Sequence, residues 1–124
     1  MPVKVALEKW PMFIMRAYGS VTYDEVRLAI AELVAHPQLR AGAVLFIDNR
    51  GVTSAPSIAE VAGIANHFAE VFARGLTKLA LLSDSDEVHG VAKMFASFAS
   101  TVGADAKGFR DETLALQWLR GSSR

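Results

Sequence analysis

The stretch "AVLFIDNRGVTSAPSIAEV", residues 43–61, runs from an apolar strand into the opening turns of a helix. The loop between them carries one acid, Asp48, one base, Arg50, and three hydroxyls, Thr53, Ser54 and Ser57. A serine at a helix start can carry a phosphate, because unpaired N–H groups and the positive end of the helix dipole meet it there. The same serine can act as a plain N-cap worth about 1 kcal/mol. Glu60, three residues on, pairs with Ser57 in a capping box, so the cap is the favoured reading. Arg50 has the chemistry to clamp an anion, but a solvated turn residue is the simpler expectation.

A second constellation is Asp48, Asp84, Asp86 and His89. Three carboxylates and an imidazole suit a divalent ion, and hence a small metal-dependent hydrolase or phosphotransfer domain. "SDSDEVHG" also reads as a capped helix start whose acids favour the dipole, with His89 facing solvent on the first turn. This second reading is preferred, and the metal site is kept as the alternative. No nucleophile–base pair follows from the spacing. "GVTSAPS" lacks the Gly-Lys-Ser/Thr ending of a phosphate-binding loop. His36 and His67 read as surface histidines without catalytic partners. Trp10, Met12, Phe13 and Met15 read as core or dimer contacts rather than a cofactor box. The expectation is therefore no catalytic residue, no metal and no cofactor.

The elements that must position these residues are legible in the patterning. "VKVALE" alternates as a half-buried strand, Trp10-Pro11 breaks it, and "MFIMRAY" forms a second strand with Phe13, Met15 and Ala17 on one face. The short connection predicts an antiparallel hairpin. Thr22 and Glu25 form a capping box opening a helix that Pro37 ends. "AVLFID" is apolar on both faces, which predicts a central parallel strand. A helix follows over 57–74, with Gly75 as its C-cap. "KLALLSD" is another buried strand, and a third helix runs over about 86–101. "AKGFRD" is a short edge strand, and Asp111 caps a final helix. The order β-β-α-β-α-β-α-β-α predicts an α/β fold, a mixed sheet with an N-terminal hairpin and helices packed against it. Residues 1–124 are read as one domain.

Composition narrows the function classes. The chain has 124 residues, 13 basic and 13 acidic, so its net charge is zero. That argues against nucleic acid as a partner. There is no cysteine, which suits a reducing cytoplasm and removes thiolate chemistry. No apolar run approaches the roughly 20 residues of a membrane span, and charged residues interrupt the N-terminus where a signal would lie. Hydrophobic residues make up 52% of the chain and mean hydropathy is +0.26. The surplus points to alanine content or a subunit interface, a homodimer among them, ahead of a ligand cavity. The phenylalanines at 68, 72, 95 and 98 are expected to fill the core.

At "IDNRGVTSAPSIAEV" the chain resembles the STAS domain of anti-sigma-factor antagonists. Asp48, Gly51, Val52 and Thr53 fit that family's pattern, and Ser57 stands at the helix start. The ending "GFRDETLALQWLRG" resembles the SpoIIAA-like proteins of the STAS and CRAL-TRIO superfamily through Phe109, Arg110, Asp111, Ala115, Trp118 and Leu119. The resemblance implies a non-enzymatic regulatory or binding domain that engages a protein partner or small apolar ligand through the 49–57 loop and the helix after it. Asp48, Arg50, Thr53, Ser54 and Ser57 would be the contact residues. It also implies Ser57 as a phosphorylation site. Where the phosphorylated family has Asp-Ser-Ser-Gly, this chain has Ala55-Pro56-Ser57-Ile58.

Overall fold

A computed structural model of the protein describes residues 3–54 and 56–121. β1 (Val3–Lys9) and β2 (Met12–Ala17) form an antiparallel hairpin turned at Trp10-Pro11, whose peptide bond is cis. β3 (Val44–Asp48), β4 (Lys78–Leu82) and β5 (Ala106–Phe109) then add in sequence, each parallel to its neighbour, giving the order β1-β2-β3-β4-β5. The predicted mixed sheet, its hairpin, the central β3 and the edge position of β5 are all present.

Parallel strands that step in one direction through right-handed crossovers place every connecting helix on the same face. α1 (Tyr23–Val34), α2 (Ile58–Ala73) and α3 (Asp86–Ser100) accordingly share one core with Phe13, Met15, Leu45, Ile47, Leu79 and Leu81. α4 (Glu112–Leu119) follows the last strand and is not bound by that rule. It folds onto the opposite face, where Ile14, Phe46, Leu82 and Phe109 meet Ala115 and Leu119. Successive strand residues alternate between the two cores, as the pleat requires. All five residues of β3 are buried because both faces are covered.

The helix starts follow the sequence signals closely. Thr22 with Glu25 and Ser57 with Glu60 both form complete capping boxes. Ser85 and Asp111 cap α3 and α4 through single side-chain bonds to Val88 and Leu114. One boundary differs. α2 ends at Ala73 with Arg74 as the capping residue, and Gly75 follows it at φ +123°. The left-handed glycine, expected as the cap itself, sits one position beyond it because Arg74 keeps helical angles. Phe68 and Phe95 fill the core as expected, edge to face at 5.5 Å between centroids. Among the described residues no helix is long and apolar enough to cross a membrane.

Candidate functional site

β2 to β5 are parallel and each is followed directly by a helix, so all four helices begin at the carboxyl edge of the sheet. Loops that carry ligands in open α/β sheets gather on this edge. Two loops tie together there. Gly19 N–H donates to the Gly51 carbonyl at 2.9 Å, Thr53 N–H donates to the Gly19 carbonyl at 2.9 Å, and Val21 N–H donates to Ser54 Oγ at 3.1 Å. The segment after β2 and the loop after β3 thus form one rim.

The candidate residues of residues 48–57 divide between the two sides of that rim. Asp48 shares the strand parity of Val44 and Phe46, so it points to the α4 face. There it accepts from Arg50 twice through a fork, Nε to Oδ1 at 3.0 Å and Nη2 to Oδ2 at 2.9 Å, and also from the Arg50 backbone N–H at 3.1 Å. Arg16, its register partner on β2, donates Nη1 to Oδ2 at 3.1 Å. Arg50 also reaches Glu112 of α4 at 3.1 Å. The expectation of a solvated Arg50 is corrected: the arginine does clamp carboxylates, but they belong to the protein itself. Ser54 lies on the other face, against the apolar core. Ser57 and Thr53 are exposed on the rim itself.

Burial would raise the pKa of Asp48, but the hydrogen bonds and charge of Arg50, with the charge of Arg16, outweigh it and hold the carboxyl below its ordinary value of 3.8. Because the folded value is depressed, the stability Asp48 contributes is fully present above that ordinary value and drains away as pH falls through the folded one. Asp48→Asn is expected to cost about 2 kcal/mol at neutral pH, the scale of hydrogen bonds to charged groups. In urea titrations the gap between the two proteins should stay constant from pH 7 to 5 and close below about pH 4. A gap unchanged at pH 3 would contradict the account.

The proposed metal cluster does not assemble. Asp48 is engaged by the two arginines, Asp84 Oδ1 accepts weakly from Gly51 N–H at 3.4 Å, and Asp86 Oδ1 accepts from Arg110 at 2.7 Å. His89 does not face solvent as expected. Its ring packs on β5, where the missing side chain of Gly108 leaves room, and its Nδ1 is buried. Burial lowers its pKa, and the charges of Lys93 and Arg110 push the same way against Asp86. Among the described residues no three His, Asp or Glu side chains come together to hold an ion. The two other histidines are also not free surface groups. His36 lies edge-on to Phe13 at 4.9 Å and accepts from Gln38 N–H at Nδ1. His67 hydrogen-bonds the Tyr23 hydroxyl at 2.8 Å, tying α2 to α1.

Sequence reasoning ranked a ligand cavity last, yet the structure contains one. A cleft of about 110 Å³ lies under the rim, between the sheet and the N-terminal parts of α1, α2 and α3. Met15, Ile47 and Leu81 form its floor, Val26, Ile64 and Val91 its walls, and Thr22, Asn49 and Ser54 its mouth. Phe68 and Phe95 border it without filling it. No strand or helix pattern signals such a gap, because it lies between elements that are distant in sequence.

No family model matches the chain, and no curated protein matches it. Solved structures do. An uncharacterized protein of the DUF3478 family with a SpoIIAA-like fold, from Shewanella loihica PV-4, superposes with a TM-score of 0.57 at 15% identity, over 94% of this chain and 91% of that one. The anti-sigma factor antagonist SpoIIAA, in its unphosphorylated form, superposes with a TM-score of 0.62 at 16% identity, over 96% of each chain. This chain has a SpoIIAA-like fold. The likeness covers nearly the whole of each chain and shows the fold.

Proposed function

We propose that the chain is a non-enzymatic regulatory or binding domain of STAS type, acting in the cytoplasm as one unit, that engages a protein partner through the 49–57 loop and the first turn of α2. The observation that carries this reading is the convergence of that loop with the four helix starts on one edge. Two large apolar side chains stand exposed there: Tyr18, 57% exposed, just after β2, and Ile58, 66% exposed, at the opening of α2. Aromatic and branched apolar groups ringed by polar ones suit a protein interface. Arg50, Thr53 and Ser57 would supply the polar ring, with Asp48 and Ser54 holding the loop in shape. The similar SpoIIAA structure is an anti-sigma factor antagonist, which supports a protein partner. Phosphate on Ser57 would suit the helix start, but the Glu60 carboxylate already accepts from Ser57 N–H at 3.0 Å and would have to move away.

The test is affinity capture from the native host with three baits: wild type, Ile58→Glu and Val102→Glu, the last in the exposed turn after α3. Ile58→Glu is expected to weaken the captured partner at least tenfold, while Val102→Glu retains it. Equal capture by all three would remove the rim from the interface. A second reading, a small apolar ligand, is favoured by one specific observation, the cleft beneath the rim.

A further inference from the structure

The cleft has a chemical character that narrows what fits it. None of its lining residues carries a charge. Its floor and walls are hydrocarbon, and its volume of about 110 Å³ is on the scale of the ~150 Å³ engineered cavity that takes up benzene. Polar atoms occur only toward the mouth. Three of the four polar lining side chains are already engaged. Tyr23 is held by His67, Thr22 by Glu25, and Ser54 by Val21 N–H. The fourth is Asn49, whose carboxamide has no partner among the described residues. It offers two N–H donors and a carbonyl acceptor, all uncharged.

The electrostatics of the mouth are one-sided. Helix starts ordinarily attract anions, but here the two nearest are closed by acids. Glu25 Oε1 lies 2.8 Å from Thr22 N, and Glu60 Oε1 lies 3.0 Å from Ser57 N. Asp84 and Asp86 lie on the same edge, after β4. The nearby cation, Arg50, is turned to the opposite face by Asp48 and Glu112. A carboxylate or phosphate head would therefore meet negative groups, with no free cation among the described residues facing it.

We infer that the cleft under the 49–57 loop binds a small uncharged amphiphile, with one ring or short alkyl limb among Met15, Ile47, Ile64 and Val91 and a hydroxyl or amide head on Asn49. This rests on the apolar-ligand reading and names its chemistry.

The test uses the full chain at pH 7 with 1-hexanol and hexanoate as probes, followed by methyl chemical shifts and thermal unfolding. Hexanol is expected to shift the methyl signals of Ile47, Ile64 and Val91 saturably and to raise Tm, with hexanoate at least tenfold weaker. Asn49→Ala should weaken hexanol about tenfold. Val91→Phe, which fills the cleft without altering the rim, should abolish binding. If that variant does not fold, Ile64→Phe is read in its place. Absence of saturable shifts in the folded wild type, hexanoate binding as tight as hexanol, or unchanged binding in the filled variant would each overturn the inference. Partner capture sensitive to Ile58→Glu with no hexanol binding leaves the rim reading standing and ends this one. Hexanol binding with capture indifferent to Ile58→Glu does the reverse.

Discussion

Phe68→Ala is expected to destabilise the protein by about 3–5 kcal/mol, the range for truncating a buried aromatic side chain. Phe68 is 1% exposed, sits on the inner face of α2, and meets Phe95 of α3 edge to face. It thus joins two of the three helices that cover the larger core. The loss has two parts: burial of the ring itself and the void left behind. The void would open into the existing cleft, which Phe68 borders, so the core cannot close around it cheaply. For a chain of this size the melting temperature should fall by more than about 10 °C. Phe68→Leu keeps most of the volume and should cost under about 2 kcal/mol. Equal losses for the two substitutions, measured by urea unfolding, would mean that the ring's size is not what the site uses.

Gly75→Ala is expected to be at least as damaging, about 4 kcal/mol or more. Gly75 has φ +123°, in the region that L side chains rarely adopt. An added Cβ would lie 2.4 Å from both Ala41 N and Arg40 C, which are backbone atoms. Neither can rotate away, so the turn entering β4 and the turn entering β3 would have to separate. That movement also breaks the bond from Gly42 N–H to the Gly75 carbonyl. Gly103 provides the comparison. It too has positive φ, +79°, but an added Cβ there would meet nothing within 4 Å. Gly103→Ala should show only the conformational cost, about 1–2 kcal/mol. The difference between the two variants isolates the backbone collision, and similar values for both would show that the two turns yield easily.

Much of the fold was legible because its signals are local. Thr22 with Glu25 and Ser57 with Glu60 lie three residues apart, and the apolar run before Asp48 declares a strand covered on both faces. The site was harder, because its contacts are distant in sequence. Arg16 meets Asp48 only through the register of β2 on β3, and Glu112 meets Arg50 across the sheet end. Strand parity carries the signal for Arg16: Met12, Ile14 and Arg16 share one face with Val44, Phe46 and Asp48. The alternation that puts Asp48 toward α4 also puts Asn49 toward the cleft. The Tyr23–His67 bond depends on how α1 crosses α2, with Gly63 leaving space for the tyrosine hydroxyl. His89 looked exposed because its helix turn is acidic, whereas the deciding contact is Gly108 on another strand. The cleft has no sequence pattern at all, since it is a gap between elements rather than a property of one.

The most direct measurement of whether the carboxyl rim is the working surface is hydrogen–deuterium exchange of the full chain, alone and with its captured partner. Slowed exchange over 18–22 and 49–60, with α4 and β1 unchanged, is the predicted result. Protection confined to α4 or the β1 edge, with the rim exchanging as it does in the free protein, would contradict it.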